Sequence, residues 1–168
     1  MKLTLEKLFL RFTGYTYSNL SRLFIRLFVG IMFMQFGVRH LVNYDIIASS
    51  FPAVIGMSSH TSLIVMISIE MVCSIFIMAG FLTRLSAIPP IISMIVAEHH
   101  IVYDMLPDID ITTLSSTMPG FLPLMFIGIY LYILMAGPGK ISADYLITLY
   151  IMGRQGHDIS DSTELQDA

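Results

Sequence analysis

Residues 62–82, SLIVMISIEMVCSIFIMAGFL, decide the fold. Apart from Glu70 the stretch carries no charged side chain. A helix needs about 20 largely apolar residues to cross the hydrocarbon core of a bilayer. A run this long without alternation of polar and apolar positions is not a barrel strand. The stretch predicts a membrane-spanning helix with one carboxyl group buried along it.

Three further stretches of the same kind, 22–42, 86–105 and 120–137, flank it. Over all 168 residues, 55% are hydrophobic and 12% charged, whereas a soluble domain carries about a quarter charged residues. The expected fold is all-α, a membrane four-helix bundle with N-terminal and C-terminal interfacial helices. Residues 1–152 form a single transmembrane domain. The tail 153–168, with Asp158, Asp161, Glu164 and Asp167, is expected to be disordered. The first span has the apolar length of a full crossing and no cleavage pattern after it, so it is expected to stay in the mature protein.

Residues 1–20 set Leu3, Leu5, Leu8, Phe9 and Phe12 among Lys2, Lys7 and Arg11, which suits a helix lying on the membrane surface. Ile46 to Thr61 is apolar but broken by Pro52 and Gly56. It reads as a re-entrant or interfacial piece. The short turn from Gly80 to Arg84 makes the second and third spans antiparallel neighbours, and Pro89-Pro90 is placed in the first turns of the third. Gly137-Pro138-Gly139 stops the fourth, and Ser142 is positioned to cap an amphipathic helix through about Met152. Gly30 and Gly37 share a face of the first span and allow close helix packing.

Lysine and arginine set the orientation. All of them except Arg39 fall before the first span or in its first turns, between the second and third spans, or after the fourth. That side is expected to be cytoplasmic, with both termini on it. The other side is acidic, with Asp45, Asp104, Asp108 and Asp110, and has His40 and His60 nearby. A net charge of −3 so distributed gives no case for nucleic-acid binding. The lipid bilayer is the partner the composition demands. Cys73 is the only cysteine, which excludes an intrachain disulfide and a CxxC pair. Phosphate-binding loops, nucleophile elbows and zinc-protease helices are absent from the sequence.

Ionisable groups inside a bilayer are costly and need partners. At 1.5 Å per residue, Gln35 lies roughly 20 Å from Arg22, Glu70 roughly 21 Å from Arg84 and Glu98 roughly 18 Å from Ser86. Polar groups from three spans thus reach one level in the outer half, with Arg39 one turn beyond Gln35 and Tyr130 nearest on the fourth span. Arg39 stays ionised, so Glu70 or Glu98 is its expected counter-ion. The plainer reading is a buried ion pair fixing helix register. The functional reading is a pocket in which Arg39 and Glu70 are catalytic, and Gln35, Arg39, Glu70, Glu98 and Tyr130 bind substrate. One of His99 and His100, which point about 100° apart, could join Glu98 and the loop aspartates around a divalent metal. Haem ligation by His40 with His99 or His100 is a further geometric option.

Arg26-x3-Gly30-x2-Phe33-x3-Gly37, Glu70 with the Gly80-Phe81-Leu82-Thr83-Arg84 turn, and Gly137-Pro138-Gly139-Lys140-Ile141-Ser142-Ala143-Asp144 resemble the DoxX family of small four-helix bacterial membrane proteins. The resemblance runs from about Arg22 to Asp144. It implies a bacterial inner-membrane location and redox or sulfur metabolism near a quinone pool. It also implies a redox-protein partner, and the glycine face of the first span allows a homo-oligomer. Thiol-redox relatives of similar outline carry a cysteine pair that this chain lacks. The expectation is therefore a redox-linked subunit whose outer-half pocket takes a quinone or an anionic sulfur species. The alternative is a non-enzymatic partner or assembly factor.

Overall fold

A computed structural model describes residues 18–54, 56–100 and 120–154. The surface helix expected over 1–20 (but for 18–20), the segment Asp104 to Met118 and the tail beyond Arg154 lie outside the described residues. Within them the protein is all-α, without strands. Helix α1 is Ser18–Val42, α2 the short Tyr44–Ile47 and α3 Ser59–Ser68. A π-helical turn, Ile69–Cys73, joins α3 directly to α4, Ser74–Ala79. Then follow α5, Thr83–His99, α6, Phe121–Ala136, and α7, Ala143–Arg154. Two of the continuous helical segments, Ser18–Val42 and Ser59–Ala79, are long and apolar enough to cross a membrane, and Phe121–Ala136 is apolar but shorter.

One stripe of α1 is buried: Arg26, Gly30, Phe33 and Gly37, at spacings of four, three and four, with Val29 beside Gly30. Its glycines bring α1 against the second span as expected. A Cβ on Gly37 would sit 2.8 Å from Met71 Cγ and 3.1 Å from Glu70 Cβ, and one on Gly30 would collide with Met78. Val29 and Phe33 meet Ile77, Ala87, Met94, Phe126, Tyr130 and Ile133 in the main core. Phe33 packs on Phe126 and Tyr130 with ring centroids 5.4 Å apart in each case. A second cluster of Ala48, Leu63 and Ile67 holds α2 and the chain after it on α3.

The second span ends on Gly80, whose φ of 70° suits a residue without a Cβ. Gly80 N donates to Ile77 O at 3.1 Å and Phe81 N to Phe76 O at 2.9 Å, the two bonds of a Schellman motif. Phe76 and Phe81 complete it with an edge-to-face contact at 5.4 Å. The stop falls three residues before the expected boundary at Leu82. Helix α5 accordingly starts at Thr83 rather than 86, which moves Pro89 and Pro90 out of the first turns into the helix interior. Their missing amides leave the carbonyls of Leu85 and Ser86 without their helical donors.

Long-range contacts bind this end of the bundle. Asp144, at the start of α7, accepts from Leu82 N at 2.6 Å, Thr83 N at 2.9 Å and Thr83 Oγ1 at 3.0 Å. It thereby caps α5, whose own preceding residue, Leu82, has a left-handed φ of 46° and supplies no side-chain oxygen. Asp144 N donates back to Gly80 O at 2.9 Å. Ser142 Oγ accepts from Tyr145 N at 3.1 Å, the expected cap of α7. Asn19 Oδ1 accepts from Lys140 N at 3.0 Å, tying α1 to the same loop. Arg26 is 1% exposed and donates to Ile141 O, to Ile77 O at 3.5 Å and to Arg22 O at 3.3 Å. Asp144→Ala removes three hydrogen bonds and the N-terminal cap. The expected loss is about 1–2 kcal/mol, read as a lowered thermal midpoint in detergent, with Asp144→Asn retaining part of the loss.

Candidate functional site

Glu70 lies in the π-helical turn, opposite Gly37, and is 1% exposed. Single π turns inside α-helices recur at functional sites, because they trade regular hydrogen bonding for a placed side chain. Its Oε2 lies 2.7 Å from His40 Nδ1. That bond requires a proton on one of the two atoms, so the pair holds a proton whichever tautomer His40 adopts. His40 extends the buried stripe of α1 by three residues beyond Gly37, and its ring meets Phe51 edge-on at 6.0 Å.

The pair forms part of the wall of a cavity of about 440 Å³. This lies within the roughly 300–1,000 Å³ typical of small-molecule sites. Phe33 and Phe36 of α1, Met66 and Ile69 of the second span, Ile92, Met94 and Val96 of α5, and Phe126 of α6 supply most of its surface. The polar groups on the wall are His40, Glu70, Ser62, Ser93 and His100. Phe51, Pro52, Val54 and Met57 also line it. The segment expected as a re-entrant or interfacial piece thus forms part of this cavity, tied down by Val54 N donating to Ser62 Oγ at 3.2 Å. Because the second span stops at Ala79, Glu70 is about 13 Å from that end. It stands near the middle of a core about 30 Å thick.

The expected site residues separate. Gln35 and Arg39 are exposed, since they lie off the stripe that runs through Phe33, Gly37 and His40. The carboxylate of Glu70 pairs with His40, whereas Arg39 was expected to take Glu70 or Glu98 as its counter-ion. Tyr130 is wholly buried in the aromatic core beside Phe33 and Phe126 and is not on the cavity wall. Its hydroxyl, Ser74 Oγ and Glu98 Oε2 are buried without a hydrogen-bond partner among the described residues. Glu98 faces Gly120, where a Cβ would come within 3.0 Å of its carboxylate. His100 reaches the cavity wall and His99 is exposed. Among the described residues no group of three or more His, Cys, Asp or Glu could hold a metal ion. The aspartates 104, 108 and 110 lie outside the described residues. Sequence reasoning counted depth but not direction around the helix, and so passed over the His40–Glu70 pair.

Apolar helices with outward-facing Leu, Ile, Val and Phe side chains, enclosing an apolar cavity with one buried acid, define a helical membrane protein. Residues 21–102, just under half of the chain, match the DoxX family model, and the chain carries a DoxX domain there. The matched stretch contains both His40 and Glu70. Comparisons with curated proteins and with solved structures return no match.

Proposed function

We propose that this DoxX protein is a redox-linked subunit of the bacterial inner membrane that receives a quinone head group beside His40 and Glu70 and exchanges a proton with it. In this reading the chain crosses the membrane four times with both termini cytoplasmic. A redox-protein partner supplies the electrons. The observation that carries the proposal is the cavity of about 440 Å³, apolar over most of its wall, with a hydrogen-bonded His–Glu pair upon it.

The chemistry favours an uncharged ring over an anionic sulfur species, because an anion would lose its hydration against hydrocarbon walls without a fixed cation to replace it. Glu70 Oε1 and His40 Nε2 make no other hydrogen bond to a described residue. They are the atoms a ring carbonyl or hydroxyl would meet. His40 takes the binding role that depth alone had given to Arg39. Protein extracted in mild detergent should retain quinone, or rebind added quinone, at close to one ring per chain, counted by mass spectrometry. Met66→Trp fills the cavity and should lower that count about tenfold. Absence of retained and rebound quinone, or an unchanged count in the variant, contradicts the proposal.

A further inference from the structure

Phe51, Pro52, Val54 and Met57 line one part of the cavity, and two other wall residues are open to the outside. Val65 of α3 is 39% exposed and Ile92 of α5 is 53% exposed. Ile92 lies nine residues into α5 from Thr83, about 13 Å along the helix. That is the depth of Glu70. Helix α5 packs against the π-helical turn and α4, while α3 is not among its principal contacts. The wall between α3 and α5 is therefore not sealed by close helix packing, and Ile92 places it where the surrounding medium is hydrocarbon.

Resting on the quinone-pocket reading, we infer that the ligand is a tailed amphiphile that reaches the cavity sideways from the bilayer, its uncharged ring at His40–Glu70 and its apolar tail passing between Val65 and Ile92. A phospholipid does not fit this path, because its charged head would have to leave the interface for the middle of the hydrocarbon. An uncharged ring loses little on the same route and regains a hydrogen bond at the pair. A water-soluble ligand has no advantage in an opening that faces acyl chains.

The full-length protein in lipid nanodiscs tests this with two probes, a benzoquinone without a side chain and the same ring carrying a long alkyl chain. Binding is counted against empty nanodiscs of the same lipid. Ile92→Trp, and separately Val65→Trp, should weaken the tailed probe about tenfold and the tailless ring by clearly less. Both side chains are part exposed and neither belongs to a buried core cluster, so these changes leave the core packing in place. Equal loss of both probes, or no loss of the tailed one, overturns the lateral path while leaving the pocket standing. Failure of both probes to bind the unsubstituted protein overturns the pocket and the path together.

Discussion

Arg26→Met is expected to lower the stability of the fold by about 3 kcal/mol or more, because it strips the donor from three carbonyls in and around a buried site. The guanidinium of Arg26 joins α1, the end of α4 and the loop before α7 through Arg22 O, Ile77 O and Ile141 O. A chain of this size shifts its thermal midpoint by about 2–4 °C per kcal/mol, so a fall of roughly 6–12 °C is expected in detergent. Arg26→Lys should recover little, since an ammonium cannot span acceptors set apart in the fork geometry of a guanidinium. Leu20→Ala, an outward-facing change on the same helix, should move the midpoint by less than about 2 °C. Equal midpoints for Arg26→Met and Leu20→Ala would show that the buried guanidinium is dispensable.

Glu70→Gln should separate binding from folding. It keeps the volume and a hydrogen-bonding oxygen opposite His40 Nδ1, so the packing of Gly37 against the π-helical turn survives. A hydrogen bond involving a charged group contributes about 1.5–3 kcal/mol. Quinone affinity is expected to fall about tenfold or more, with a midpoint change of only a few degrees. Glu70→Leu should weaken binding at least as much. Arg39→Gln, on the exposed face of α1, should leave binding within about twofold. The reverse order, with Arg39→Gln the damaging change, would return the site to the arrangement inferred from depth alone.

The bundle was legible in the sequence because its signals are local. Long apolar runs, the Gly137-Pro138-Gly139 stop and the Ser142 cap each act within a few residues and are found in place, while the second span ends on Gly80, before the expected Leu82. The motif Arg26-x3-Gly30-x2-Phe33-x3-Gly37 proved to be the buried stripe of α1. What it does at its first residue was not legible. Arg26 reads as one more cytoplasmic cation, and only folding shows that its acceptors lie 51 and 115 residues away. Asp144 likewise looks like the first-turn acid of α7, while its carboxylate caps α5.

The site was half legible for a related reason. Glu70 stands out as the one acid in a long apolar run, and its isolation marks it for a partner. The partner follows from azimuth: continuing the stripe by three residues from Gly37 lands on His40, whereas Gln35 and Arg39 fall on the opposite and flanking faces. The π-helical turn has no sequence signal of its own. Nor does a sequence pattern show that Phe51, Pro52, Val54 and Met57 line a cavity with the helices.

The most direct measurement of the central claim is the infrared carbonyl band of an isotope-labelled quinone bound to the protein in nanodiscs. Hydrogen bonding at His40–Glu70 predicts a downshifted band in the unsubstituted protein, reduced in Glu70→Gln and returned to the lipid-dissolved position in the double variant His40→Leu, Glu70→Leu. An unshifted band in the unsubstituted protein, or the same shift in the double variant, would contradict a ring held by this pair.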